Sequence, residues 1–542
     1  MSTRKVGNLP SRKVRPISRE AVFLPANGLN EAGAPNLINN KEWSDLLNIQ
    51  FAENGVCRKR MGYNTKATPL TAARGLGSLV TDSANQIVTI DNGTMKYSTG
   101  ATWTTVGTIS FTAEALYDFT QARGKLYIWN GLQGGAEWDG TTLARPGTMP
   151  KAKFSVFYSS YHICSGADGQ SSRVYVSRLD NSSIFTNVAG DAKGLDDATK
   201  VPGATVFAGT GANFIDIQPN DGDRITGLGV YSDQVIVFKQ FSIYQLTFDD
   251  TGQPVVAPIT KAAGCVSARS IEAVENDLYF LSREGVRVLG NEANYFNSIR
   301  TSIISKNLDP TIFGMDESAY TKATAIFFNN EYILSIPDSG GNLTYTIVYN
   351  KNFKAWTKWG SVEAAAYNKF IDSNNKQKLL FLKPTGTQLY EFIPDTYVDV
   401  NQPIEAFMLS KVFDFKNPDI TKYFVDLGLM FRTISGTLDL EIYTAGNVLF
   451  GGAASLVGNP VSDGMGYSML GYTILGEGGG VATERQAFSD NIIRVDLKTK
   501  STSLRFKISN DRVNENFVLL GYINAFYPFT HFLFDSSKKV YL

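Results

Sequence analysis

QVIVFKQFSIYQL, residues 234–246, decides how the chain is read. Apart from Leu246 its apolar residues are β-branched or aromatic, and they alternate rather than recur at helical spacing. A polar break, Lys239-Gln240, separates two strand-like runs. Six other stretches share this build: a β-rich run, a Gly/Asn/Asp/Ser turn and a second run, often ending in an aromatic. They are QIVTIDNGTMKY (86–97), KLYIWNGLQGGAEW (125–138), RVYVSRLDNSSIF (173–185), DLYFLSREGVRVL (277–289), EYILSIPDSGGNLTYTIVY (331–349) and KLLFLKPTGTQLYEF (378–392). Successive units start about 40 to 60 residues apart, the length of a four-stranded propeller blade with inserted loops. A strand-only stretch of this length must hide its sheet edges, and closing into a ring does so. Two tandem sandwiches are the competing arrangement.

The expected fold is therefore all-β: a degenerate β-propeller over residues 71–395, preceded by an extended arm and hairpin (1–70) and followed by a β-sandwich (396–542). The arm carries Arg4, Lys5, Arg12, Lys13, Arg15 and Arg19 with no acid before Glu20, and Pro10 and Pro16 oppose a helix. A helical turn is expected around residues 41–46. After it, LLNIQF and VCRKRMGY flank Ala52-Glu53-Asn54-Gly55, and Asn-Gly between two strand-like runs reads as a hairpin. SIRTSIISKNL (298–308) sets Ile299, Ile303 and Ile304 on one helical face, which predicts a short helix outside a blade. An insertion rich in Gly, Ala and Asp falls at 187–213. Beyond Pro394, residues 407–415, 423–431 and 438–443, then IIRVDLK, SLRFKIS and FVLLGYINAFYPF, read as sandwich strands around a Gly-rich loop at 451–480.

Composition narrows the function. Lys plus Arg and Asp plus Glu are 51 each, and a protein that wraps nucleic acid is usually basic overall. Charged residues are only 19%, which suits a surface hidden in an assembly, because charges are costly to desolvate. Three dispersed cysteines, Cys57, Cys164 and Cys265, have no metal spacing, and two histidines, His162 and His531, leave little for a triad or a zinc site. Neither a signal peptide nor an apolar run long enough to cross a membrane is found, so synthesis in a cytosol is expected.

The motifs of common enzyme classes are missing: no phosphate loop, no G-x-S-x-G elbow. YSTGATWTTVG (97–107) has the outline of a sialidase Asp-box turn without its acid, and reads as a blade hairpin with a packed Trp103. GEGGG at 476–480 reads as loop, and Asp196-Asp197 and Asp249-Asp250 as solvated acids. The basic run CRKRM (57–61) has two readings, a phosphate contact or an inter-subunit salt-bridge edge, with Arg58 and Arg60 on one strand face and Lys59 on the other. No catalytic, cofactor-binding or metal-binding residue is singled out, and no cofactor is expected.

The opening block, GLNEAGAPNLINNKEWSDLLNIQFAENGVCRKRMGY (28–63), resembles a segment found near the start of bacteriophage tail and neck structural proteins. Its elements here are Gly28-Leu29-Asn30, Glu42 to Asp45, Leu47-Asn48, Gly55, Arg58-Lys59-Arg60 and Gly62-Tyr63. The stretches 227–285 and 325–359 look like the same family. The nearest resemblance is to the tail nozzle, or tail tubular (stabilisation) protein, of short-tailed phages. It implies a non-enzymatic subunit of a homo-oligomeric ring, typically a hexamer, in the virion tail. Such a ring continues the DNA channel below the portal and its adaptor, or head-completion protein, and takes part in genome retention and DNA ejection. Implied partners are further copies of the chain, the adaptor, tail fibre or needle proteins, viral DNA passing without sequence-specific contact, and the host cell surface. The chain is shorter than many nozzle proteins, and no gate loop is identifiable. A neck, collar or receptor-binding tail component shares the same signature, and a propeller-type glycan hydrolase is the enzyme alternative. A lumen that passes DNA should not grip it, so neutral or acidic residues are expected to face it.

Overall fold

The computed structural model describes residues 17–528 apart from 83–84, 168, 179–180, 186–213, 249–253, 293–297, 373, 446–453 and 459–491. Most of the basic arm, the insertion at 187–213, most of the Gly-rich loop, both Asp-Asp pairs and His531 lie outside the described residues.

Seven antiparallel meanders follow one another along the chain and close into a β-propeller. Each blade begins with its inner strand. These inner strands are Ala73–Val80, Asp118–Ala122, Phe154–Tyr158, Ile225–Tyr231, Glu272–Val274, Thr324–Phe328 and Ala366–Ile371. Five blades contain a hairpin turned by two residues that both have positive φ: Asn92-Gly93, Arg123-Gly124, Ser159-Ser160, Ser232-Asp233 and Asn329-Asn330. That backbone matches the right-handed twist of the flanking strands, which is why short hairpins prefer it. Between blades, alternating apolar residues pack face to face. Val235, Val237 and Leu246 of blade 4, for example, join Ile163, Val174 and Val176 of blade 3 in one buried cluster.

The ring is closed from outside its own span. Blade 7 takes three strands from residues 366–393, and Gly62–Thr65 supplies the fourth, paired antiparallel with Gly62 opposite Ile393 and Thr65 opposite Tyr390. Tyr63 is buried against Phe381, Tyr390 and Phe392. Gly62 has no alternative at this seam, because a Cβ there would stand 2.0 Å from the Val398 carbonyl oxygen. Gly62→Ala is expected to cost about 1–3 kcal/mol by overpacking, read as an earlier urea midpoint of the whole chain.

The C-terminal strands form a sandwich, but it interleaves with the N-terminal segment. Ser18–Phe23 pairs with Asn516–Pro528, and Glu42–Leu47 pairs with Ala406–Ser410. The runs expected as two strands at 423–431 and 438–443 are one strand, Lys422–Thr444. Its first half pairs with Ile492–Ser501 in one layer and its second half with Leu504–Asn510 in the other. Register shifts between Phe424 and Asp426 and between Met430 and Thr433 let it cross over, as bulges re-aim a strand. Trp43, Phe413, Phe506 and Tyr522 pack together inside. Each such burial is worth roughly 1.5–3 kcal/mol. Asn524 is fully buried in this domain, and neither its amide oxygen nor its nitrogen finds a partner among the described residues. Asn524→Leu is therefore expected to raise stability by about 1–2 kcal/mol, measurable by urea titration.

Two local expectations fail. Residues 41–46 form no helical turn: Glu42–Leu47 is a strand, burying Trp43 and Leu46. Residues 298–303 are the outer strand of blade 5, with only a short 3-10 turn at Lys306–Leu308. Ile299 and Ile303 are four apart, a spacing that fits a strand face as well as a helix face. Of the seven repeat units, six fall on the second and third strands of a blade. The unit at 173–185 catches only the third strand of blade 3, because the preceding Tyr161–Ser165, with its His, Cys and Ser, lacks the apolar run of the other blades.

Candidate functional site: the basic joint and the axial cavity

The basic run 57–61 faces inward. The hairpin forms as expected, with Ile49–Phe51 against Cys57–Lys59. The strand ends at Lys59, so the expected alternation breaks there, and Arg60 is fully buried like Lys59. All five guanidinium donors of Arg60 are used. Nε donates to Asn48 Oδ1 at 2.8 Å, Nη1 to the Met61 carbonyl and Asp399 Oδ1 at 3.0 Å each, and Nη2 to the Gly360 carbonyl at 2.9 Å and Asp399 Oδ2 at 2.5 Å. Lys59 Nζ donates to Asn510 Oδ1 and the Arg512 carbonyl. Burial, and then the neighbouring Arg60 charge, pull Lys59 down to about 8. Arg58 alone keeps partial exposure, and it donates to Gln50 Oε1 while Gln50 Nε2 donates to the buried Glu331 of blade 6. Burial takes Lys59 and Arg60 out of reach of a phosphate or a neighbouring subunit, and the salt bridge that Arg60 makes is within the chain, to Asp399. This run ties the hairpin to blade 6, to the strand at Val398–Asp399 and to the sandwich.

The rest of the opening block is structural in the same sense. Gly28 sits at φ +82° with its missing Cβ 2.6 Å from the Trp356 nitrogen. Leu29 is fully buried, and the Asn30 side chain bridges Glu42 and the Gly33 amide. Asn48 accepts from both Arg60 and the Gly360 amide.

The second place where charge gathers is one that sequence reading missed. The inner strands enclose an axial cavity of about 540 Å³, lined from all seven blades. Asp118, Arg269, Glu272 and Lys369 face it. Arg269 stands just before the inner strand of blade 5 and donates to three main-chain carbonyls, Ala365, Thr321 and Lys322, at 2.8, 3.3 and 3.1 Å. Those acceptors precede the inner strands of blades 7 and 6, so the guanidinium arches over the end where the strands begin. Asp118 accepts the Ser155 amide at 3.2 Å. Desolvation raises it to about 6 and lowers Arg269 to about 10, each partly offset by the attraction of the other. Glu272 lies 3.8 Å from Lys369, and burial lifts it to about 7 against that attraction. The available signal was a charged residue inside a short inner strand, as in DFTQA and AYNKF.

Other candidates from the sequence are structural. His162 is fully buried between blades 2 and 3, 4.4 Å from the Tyr127 ring centre, with Nδ1 3.0 Å from the Ser182 carbonyl and Nε2 2.9 Å from Ser155 Oγ. Desolvation holds it down at about 4, so it is neutral. The three cysteines are buried, and desolvation pushes their thiols up, Cys265 to about 12. Trp103 follows the Asp-box-like turn, in a hairpin of blade 1 as expected, and donates to the Thr68 carbonyl at 3.0 Å. Among the described residues no cluster of three or more His, Cys, Asp or Glu is placed to hold a metal ion, and no helix is long and apolar enough to cross a membrane.

No protein-family model matches the chain, and no curated protein does. Solved propellers do. The Myceliophteria thermophila Cps50 (Swd1) β-propeller domain is 8% identical, with a TM-score of 0.37, over 61% of this chain and 99% of that one. YCF48 bound to D1 peptide is 8% identical at a TM-score of 0.36, over 61% and 95%. The WD40 β-propeller domain of Doa1 is 9% identical at 0.35, over 61% and 97%.

Proposed function

We propose that the chain is a structural subunit of a phage tail, assembled as a ring of identical copies in the manner of a nozzle. The observation that carries this reading is the role of residues 28–63. The segment that bears the resemblance is the seam of the molecule: it closes blade 7 through Gly62–Thr65, buries Arg60 against Asp399 and supplies a sandwich strand through Glu42–Leu47. A propeller and a sandwich fused through one sheet form a single unit that can repeat around an axis through one head-to-tail contact. An axial cavity of about 540 Å³ is too small for a duplex. Under this reading DNA passes between copies, through the lumen of the ring, whose wall is neutral or acidic so that phosphates are not held. The adaptor docks above, fibre or needle proteins below, and the basic residues 1–20 latch a neighbouring copy or the adaptor.

Size-exclusion chromatography with light scattering, followed by negative-stain imaging, tests the reading on the purified full chain, alone and with the adaptor. Closed rings, six-fold in the simplest case, are the expected result. A strictly monomeric species in both preparations would overturn it. Labelling the subunit in the intact particle separates a nozzle below the adaptor from a neck or collar position.

A further inference from the structure

The axial cavity holds four ionisable groups whose charges are poorly matched by the protein itself. Among the described residues Arg269 is bonded only to neutral carbonyls, and its three bonds fix the guanidinium in place. Among the described residues Asp118 is bonded only to main-chain amides, those of Ser155 and Phe119. The two attract each other across the space, yet no ion pair joins them. Glu272 and Lys369 repeat the pattern at 3.8 Å, the outer limit of a salt bridge. Asn368, also on the wall, has a buried amide nitrogen without a partner. Arg269, fixed by its three bonds, does not swing over to Asp118, so the two stand ready for a ligand that meets both. The wall is net neutral, one cation against one anion twice over, which disfavours a simple anion or a simple cation. Asp118 and Arg269 are half-buried at the end where the inner strands begin, beside the buried Tyr117, Phe154 and Ala366.

We propose that this cavity binds a small zwitterion, with its carboxylate on Arg269 and its ammonium on Asp118. A volume of about 540 Å³ falls within the range of small-molecule sites. Because Asp118 and Arg269 stand too far apart to pair directly, the ligand's two charges are separated by a spacer that the protein measures. A free amino acid and the two ends of a short peptide carry the same chemistry.

The test uses the intact chain at pH 7.5 and low salt, with calorimetry and thermal shift. The probes are glycine, β-alanine, 4-aminobutyrate and 6-aminohexanoate, with diglycine as the peptide arm and butyrate and butylamine as half-ligands. One spacer length is expected to bind at least tenfold more tightly than either half-ligand and to raise the melting temperature. Binding by diglycine but by no single amino acid assigns the peptide source, and the reverse assigns the free amino acid. Asp118→Asn keeps the acceptor for the Ser155 amide and removes the charge, so it is expected to fold and to lose at least tenfold in affinity. Arg269→Lys, which keeps the charge but loses the fixed fork, is expected to weaken binding and change the preferred spacer. No binding by any zwitterion, half-ligands binding as well as zwitterions, or undiminished affinity in folded Asp118→Asn each overturns the proposal.

Discussion

Asp399→Ala is expected to lower the stability of the chain by about 3–5 kcal/mol, the cost of stranding a buried charge. Arg60 has no route to solvent, and among the described residues Asp399 is its only oppositely charged partner, with 6% of its own side chain exposed. Removing the carboxylate leaves a guanidinium held by neutral carbonyls and one asparagine. The loss is not confined to one domain. Arg60 joins the turn at Asn48, the end of blade 6 at Gly360 and the strand beside Tyr63 that closes blade 7. The parent is expected to unfold in a single transition and Asp399→Ala in two, with propeller and sandwich melting apart. Arg60→Lys keeps the charge but replaces a five-donor fork with one ammonium, and it should fall between parent and Asp399→Ala. Urea denaturation followed by tryptophan fluorescence reads all three. A loss below about 1 kcal/mol in Asp399→Ala would mean that the pair is not the clamp described here, since that is the range of solvated pairs.

The same pair shows why part of the molecule was legible in sequence and part was not. Alternation in residues 234–246 and its cognates records local chemistry, because each side chain reports which face of its own strand is buried. Blade number and the Asn54-Gly55 hairpin follow from such local signals. Arg60 and Asp399 are 339 positions apart, and nothing near Arg60 says that it turns inward. A basic triplet on a strand looks identical whether solvent, phosphate or a buried carboxylate lies opposite. The strand Glu42–Leu47 was hidden for a related reason: its two buried residues, Trp43 and Leu46, sit at helical spacing because the register shifts between Trp43 and Asp45. The axial charges stayed unseen because the blades that supply Asp118 and Arg269 are distant in the chain. Their meeting is a property of the closed ring.

Between pH 5.5 and 7.5 the chain should become less stable, against the usual expectation for an acid-sensitive protein. Glu331 opens the second strand of blade 6 and is 3% exposed. Burial lifts its carboxyl to about 7, and hydrogen bonds from Gln50 and Asn350 and the more distant Arg58 offset this only in part. The sign follows from proton counting. From about 4.5 to 7 the folded chain retains a proton that the unfolded chain has released, so stability falls as pH rises through that window and the loss is complete above it. A shift of this size corresponds to about 3 kcal/mol at most. Glu272 in the axial cavity acts in the same direction, while the neutral, buried His162 opposes the fall up to about pH 6.5 without reversing it. Lys59 acts in the opposite sense and at higher pH. Its folded value is near 8, below the ordinary 10.5, so the unfolded chain binds more protons above 8 and stability recovers there. The melting temperature is thus expected to be lowest between pH 7 and 8. Glu331→Gln keeps an acceptor for Gln50 and removes the charge. It should be more stable than the parent at pH 7.5, match it near pH 5 and flatten the slope between. Melting curves at pH 5.5, 7.5 and 9.5 decide the matter: a parent that gains stability from 5.5 to 7.5, with a slope that Glu331→Gln leaves unchanged, would show that the seam between hairpin and blade 6 admits water and that the carboxyl titrates as an ordinary surface acid.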